Sequence, residues 1–287
     1  MMSRTLKRFS RNQGIVMRRW FAALFLVGLA SNAGAGEFDL PTLRGSSPFV
    51  PQAPKYTGWS GFYAGGQAGY GMSQVNYSGA TTSLISFMLR ELALENEVQP
   101  STWEVLGKAS KSGTSFGGFV GFNTQWEDAV IGFDLNYSRG ELFSSAPADP
   151  LRRVTSAGGN TYDLTIDGSA SMRITDYGSA RVRGGWVVGN FMPYATLGFA
   201  LGRADITRTA SASGTEFSGN NVTPFSFTAS ESKKGVFIYG WSVGGGVDML
   251  LMKNAFLRAE FEYISFTKAQ GIEAQISTVR VGAGLKF

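Results

Sequence analysis

After residue 58, apolar and polar residues alternate with a period of two in run after run. That period places successive side chains on opposite faces of a strand. The clearest run is 255–265: Leu257, Ala259, Phe261 and Tyr263 share one face, and Arg258, Glu260 and Glu262 the other. The last segment sets Val279, Val281, Ala283, Leu285 and Phe287 against Thr278, Arg280, Gly282, Gly284 and Lys286. In 191–202, Phe191, Pro193, Ala195, Leu197, Phe199 and Leu201 oppose Tyr194, Thr196, Gly198 and Gly202. Similar runs occupy 127–138, 177–188 and 235–249, and glycine-rich strands are expected at about 59–75 and 113–123. That makes eight strands, an even number that lets a barrel close with both chain ends on one side. A ten-stranded barrel, with extra strands from 75–82 and 102–110, is the alternative.

The links between strands alternate in length. Those at 123–126, 189–190 and 251–254 are short; those at about 77–112, 139–168, 205–234 and 268–274 are longer. Short periplasmic turns and long extracellular loops give this pattern and orient the barrel. The predicted fold is therefore all-β: an eight-stranded antiparallel transmembrane β-barrel. A soluble sandwich or lipocalin-like barrel would alternate as well, with the apolar face inside. The leader, the terminal Phe287 and aromatics near strand ends favour the membrane form. Trp59, Tyr63, Trp126, Phe191, Tyr194 and Tyr263 are the expected interfacial aromatics. The 83–95 stretch of the first loop has helical spacing, with Leu84, Met88, Leu92 and Glu95 near one face and Ser83 as candidate cap.

The start of the chain has a different character. Met17-Arg18-Arg19-Trp20 is basic, and Phe21–Ala30 is an apolar run too short to span a bilayer as a helix. Ala33 and Ala35 stand in the spacing of a signal-peptidase site, so cleavage between Ala35 and Gly36 is expected, with a start at Met17 as a variant of residues 1–35. Residues 36–57 contain Pro41, Pro48, Pro51 and Pro54 and read as an extended periplasmic linker. The barrel domain then runs 58–287.

Charge and composition narrow the chemistry. The formal charge of +5 comes from the leader: without its six cations, 20 Lys+Arg face 21 Asp+Glu. The mature chain thus gives no case for nucleic-acid binding. There is no histidine and no cysteine, which removes the usual general base, a thiol nucleophile and the commonest metal and haem ligands. No catalytic, cofactor or metal site is expected, and the reading is not an enzyme. Arg181, Arg183, Arg258 and Arg280 fall on inward faces of neighbouring strands, where Asp134, Asp248, Glu260 and Glu262 can answer them. Eight strands enclose an interior that side chains can fill, so these eight residues predict an ion-paired lumen.

Several motifs together carry a family resemblance. Gly58-Trp59-Ser60-Gly61-Phe62-Tyr63-Ala64-Gly65-Gly66 follows a proline-rich linker, and Ala180-Arg181-Val182-Arg183-Gly184-Gly185-Trp186 comes later. Pro193–Ala200, Gly240–Val247, Arg258–Tyr263 and Thr278–Gly282 follow in order. The set resembles the small porin-family outer-membrane proteins of alphaproteobacteria, with an OmpA-like transmembrane barrel. The resemblance implies a role in envelope integrity, with solute passage through a narrow porin as one alternative and a loop-borne adhesin or ligand binder as another. It also implies that Phe287 is an assembly signal read by the barrel assembly machinery. Outer-membrane lipid and lipopolysaccharide are the expected surroundings, and homo-oligomerisation is left open.

Overall fold

The computed structural model describes residues 58–146 and 149–287. The leader, the Ala35–Gly36 cleavage site and the 36–57 linker lie outside the described residues. β1 (Gly61–Asn76) is followed by two short helices, α1 (Thr82–Leu89) and α2 (Ala93–Val98), and a 3₁₀ turn at Pro100–Thr102. Then come β2 (Lys108–Trp126), β3 (Ala129–Ala146), β4 (Leu151–Ala157), β5 (Asn160–Trp186), β6 (Phe191–Ser218), β7 (Asn221–Leu250), β8 (Ala255–Phe266) and β9 (Glu273–Lys286). All pairings are antiparallel. The order β3-β2-β1-β9-β8-β7-β6-β5 is closed by pairing of β3 with β5, so eight strands form the ring. β4 pairs with β5 alone, outside the ring.

A ring leaves no free edge, which satisfies every ladder hydrogen bond where no water can. The outward face carries the apolar set. Phe62, Phe133, Leu197, Phe199, Val243, Val279 and Val281 are all exposed large hydrophobics. Trp126, Trp186, Phe191 and Phe287 rim the end with short turns, and Tyr70, Tyr137, Tyr239 and Trp241 rim the other. Tyr263, half-buried, packs its ring on that of Trp241 at 5.5 Å. Such an apolar band with aromatic borders belongs to a bilayer-spanning barrel.

Two expectations about the links change. The 205–234 link is a continuous ribbon: β6 and β7 pair from Phe191↔Met249 out to Ser218↔Asn221 around a tight turn at Gly219 (φ +59°). The 139–168 link is also mostly strand, with β3 extended to Ala146 and a β4–β5 hairpin turning at Gly158 and Gly159, both with positive φ. The ladders joining β3, β5, β6 and β7 shift register beyond the membrane border, at Arg139/Leu142, Ile174/Asp176 and Ala204/Ile206, and the inward parity changes on β5 and β7. A bulge adds a residue and reverses the alternation, so period two breaks there while the strand continues. Extra strands from 75–82 and 102–110 do not form, since β1 ends at Asn76 and β2 starts at Lys108.

The expected single helix over 83–95 is two. The chain leaves the helix at Leu92, which is extended (ψ 142°) before α2. Thr81, not Ser83, holds the N-cap position, without a side-chain cap bond. Ile85, Leu89 and Leu94 are buried with Leu164 and Ile166 of β5 and Ala210 and Ala212 of β6. The first loop therefore caps the extracellular mouth and packs on β5 and β6, not on the two strands it joins. Among the described residues, no helix is long and apolar enough to cross a membrane.

Candidate functional site

The lumen is filled in three layers. Nearest the short turns, Trp59, Tyr63, Phe119, Val130, Val187, Met192, Tyr194, Leu250 and Phe256 form an aromatic-rich cluster. Trp59 stacks edge-on to Phe256 at 6.2 Å, and its backbone N–H donates to Gln125 Oε1 at 2.6 Å. These contacts correct the aromatic assignments. Trp59, Tyr63 and Tyr194 are buried inside the barrel, not at the lipid interface. The reason is parity: Tyr194 shares the inward face with Thr196, and Tyr63 with Gln67, and all four are buried. Nearness to a strand end says nothing about which face a ring occupies. Trp126, Phe191 and Tyr263 do face outward.

The middle layer is ionic. Arg181, fully buried on β5, donates from Nη2 to Asp134 Oδ1 at 2.5 Å and from Nη1 to Glu260 Oε1 at 2.8 Å and Glu262 Oε1 at 3.2 Å. Arg280 reaches Glu260 Oε1 at 2.5 Å and Glu262 Oε2 at 2.6 Å. Arg258 bridges Asp134 Oδ2 and Asp248 Oδ1, each at 2.9 Å. Arg183 has one carboxylate partner, Asp248 Oδ2 at 2.8 Å. All eight side chains are at most 2% exposed. Four guanidinium groups thus meet four carboxylates, all drawn from the inward positions of five strands. Planar forks and carboxylates match in geometry, and the layer offsets a desolvation cost that neither sign could bear alone.

Sequence reasoning missed the aromatic collar beneath these charges. The Tyr63 hydroxyl donates to Asp134 Oδ2 at 2.8 Å, and the Tyr194 hydroxyl to Glu260 Oε2 at 2.8 Å. The Arg183 guanidinium lies 3.8 Å from the Tyr194 ring centroid, and that of Arg258 lies 4.1 Å from Phe119. The lumenal glycines make room for these rings. A Cβ at Gly121 would collide with the Tyr63 hydroxyl, and one at Gly246 with the Tyr194 ring. Gln67 was missed too; its Nε2 donates to Asn136 Oδ1 at 2.7 Å, closing the layer on the β1 side. The inward parity of these positions was the available signal.

Above the charges comes an aliphatic layer that also went unforeseen. Val75, Leu142, Met172, Ile174, Ile206, Ile238, Ile264 and Ile276 are among its members, all at most 3% exposed. Met172 and Ile174 stand beyond the register shift of β5, where the inward parity reverses; the others keep the inward parity of their strands. Over this layer lies the first loop, tied down by Arg208. Its guanidinium pairs with Glu231 and donates to Ala80 O at 3.1 Å and Gln270 Oε1 at 2.8 Å. Among the described residues, no cluster of three or more His, Cys, Asp or Glu is placed to hold a metal ion.

A closed ring of eight strands, apolar outside and packed within, defines an integral membrane barrel. The comparisons then place it. Residues 21–287 match the family described as outer membrane protein beta-barrel domain, and the chain belongs to that family. It resides in the cell outer membrane. It is 26% identical over 238 residues to the 25 kDa outer-membrane immunogenic protein of Brucella ovis, covering 83% of this chain and 82% of that one. Among solved structures it is similar to the attachment invasion locus protein Ail of Yersinia pestis, at 16% identity, 79% coverage of this chain, 99% of that chain and a TM-score of 0.31. Neisserial surface protein A is similar too, at 16% identity, 79% and 98% coverage and a TM-score of 0.35.

Proposed function

We propose that this protein is a non-catalytic structural barrel that stiffens the outer membrane and passes no solute through its lumen. One observation carries the reading: an aromatic, an ionic and an aliphatic layer fill the lumen in series beneath the first loop. An ion crossing would have to displace all of them. Removing one layer leaves two, so a porin role is disfavoured, even with the arginines replaced. Export with cleavage after Ala35, and recognition of Phe287 by the assembly machinery, belong to the same reading.

The test is single-channel recording of the purified mature protein in planar bilayers. The expected result is absent or rare, small openings, for the wild type and for Arg181→Ala/Arg183→Ala alike. Stable openings of general-porin size would overturn the proposal.

A second reading is favoured by the extension beyond the membrane, where β4–β5–β6–β7 form a projecting sheet. Such a platform suits recognition at the cell surface. Cell binding that disappears when the 213–226 hairpin tip is replaced by a short turn would support it.

A further inference from the structure

The outer surface is uneven in charge just beyond the apolar band. On β1, β2, β8 and β9 the outward residues following Met72, Phe116, Tyr263 and Val279 are Gln74, Thr114, Ser265 and Ser277, all uncharged. On the other side they are charged. Arg139 on β3 pairs in register with Asp176 on β5, which pairs with Arg203 on β6. Arg173 stands one outward position further along β5. All three arginines are exposed. Asp176 accepts the Tyr137 hydroxyl at 2.6 Å, with Arg139 Nε at 4.0 Å, and Asp205 accepts the Gly235 N–H at 2.7 Å. With Lys234 beside Gly235, and Glu141 as the next outward residue of β3, four cations face three acids. The excess is one positive charge, spread over the four adjacent strands β3, β5, β6 and β7.

Directly toward the membrane from that row runs a groove. Gly178 and Ala180 of β5 floor it, between Leu135 and Tyr137 of β3 and Phe199 and Leu201 of β6; it is one part of a depression of about 550 Å³ that continues past β3 to Gly118 and Val120 of β2 and Ala64 of β1. Its lining is almost wholly apolar, and it faces lipid. Tyr137 and Leu201 are the outward residues immediately before Arg139 and Arg203. One feature thus joins the other: an apolar trough inside the bilayer and guanidinium groups at its mouth. The two arginines stand on strands two apart, so their backbones are roughly 10 Å from each other. A guanidinium suits a phosphate better than an ammonium does, since its fork donates two parallel bonds.

We propose that this face binds one molecule of the phosphorylated glycolipid of the outer leaflet. An acyl chain of its lipid A anchor lies along Gly178 and Ala180, and a phosphate sits between Arg139 and Arg203, with Arg173 behind. The row stands at the end opposite the short periplasmic turns, so the headgroup comes from the outer leaflet. Asp176 lies 4.0 Å from Arg139 Nε and in register with Arg203 and, being a single charge, does not cancel the two. This site goes beyond the plugged-lumen reading and does not depend on it.

The experiment uses the mature protein in phosphatidylcholine nanodiscs containing a trace of fluorescent lipid A, with EDTA present so that no divalent cation bridges phosphates. Lipid A retained per protein is measured by native mass spectrometry and fluorescence. Each cation near a membrane surface contributes about fivefold, so Arg139→Ala/Arg203→Ala should lose roughly thirtyfold of the preference for lipid A. Arg152→Ala/Arg153→Ala, on β4 and away from the groove, should lose none. Ala180→Trp, which fills the trough and keeps the arginines, should also lower retention. Millimolar inorganic phosphate should not displace the lipid. Every variant is checked for the heat-shifted, folded gel band. The proposal is overturned if the double arginine variant retains lipid A like the wild type, if the β4 variant loses it equally, or if free phosphate competes it away.

Discussion

The ionic layer predicts an order of damage that depends on what each deletion leaves behind. Take Asp248→Ala. Arg183 has Asp248 as its one carboxylate, at 2.8 Å, and is 1% exposed. After the substitution it keeps only the Tyr63 hydroxyl at 3.1 Å and the Tyr194 ring. A buried cation without a counter-charge costs about 3–5 kcal/mol, and this one falls at the upper end, about 5. Now take Arg181→Met, which removes three carboxylate contacts. Taken singly, bonds to charged groups at about 1.5–3 kcal/mol each would suggest a larger loss. But Glu260 and Glu262 both keep Arg280, and Asp134 keeps Arg258. No group is stranded, and the methionine fills most of the volume. The cost falls to about 3 kcal/mol, the low end of the same range. Arg181→Met combined with Glu262→Gln restores neutrality and should cost less than Arg181→Met alone. The assay is urea unfolding in lipid vesicles, followed by tryptophan fluorescence and the heat-shifted gel band. If Arg181→Met proved as damaging as Asp248→Ala, or the neutral pair worse than the single change, stranded charge would not be the controlling cost.

Four further outcomes are expected. Tyr194→Phe should cost about 1.5–3 kcal/mol in the same assay, because its hydroxyl donates to buried Glu260, whereas Phe191→Leu on the outer face should cost under about 1. Leu89→Ala, in the core of the first loop, should raise protease cleavage within 82–98 by about 2–4 kcal/mol of local opening, while the folded barrel band persists. Phe287→Ala should change folded stability by under about 1 kcal/mol, since the ring is 75% exposed, yet lower the outer-membrane yield; a normal yield would remove the assembly role. Hydrogen bonds from Arg208, then Lys233, hold the Glu231 carboxyl below its ordinary range. A carboxyl depressed in the folded state stabilises above its unfolded value and loses that contribution as pH falls through the folded one. Protease resistance of the first loop should therefore hold at neutral pH and decline below about pH 4.3; a loop equally resistant at pH 3 would show that the Arg208 tie does not secure it.

The strand pattern, the ring and the eight charges of the ionic layer were legible in the sequence because they rest on parity. Alternation fixes which side chains share a face, and Arg258, Glu260 and Glu262 could not face lipid. Parity also held Tyr194 beside Thr196 on the inner face, although its place near a strand end pointed to the membrane interface. Tertiary structure decided the rest. Strand reach was hidden in part because the alternation reverses on β5 beside Asp176 and on β7 beside Lys234, so local pattern breaks where the ladder continues. The β5 reversal turns Met172 and Ile174 inward, where they join Ile206 in an aliphatic layer built out of what looked like loop. The path of the first loop was equally hidden: Leu89 finds Leu164 and Ala212 only because the ring brings distant strands beneath it. Period two is a property of neighbours along the chain; the contents of a lumen are a property of strands facing one another across it.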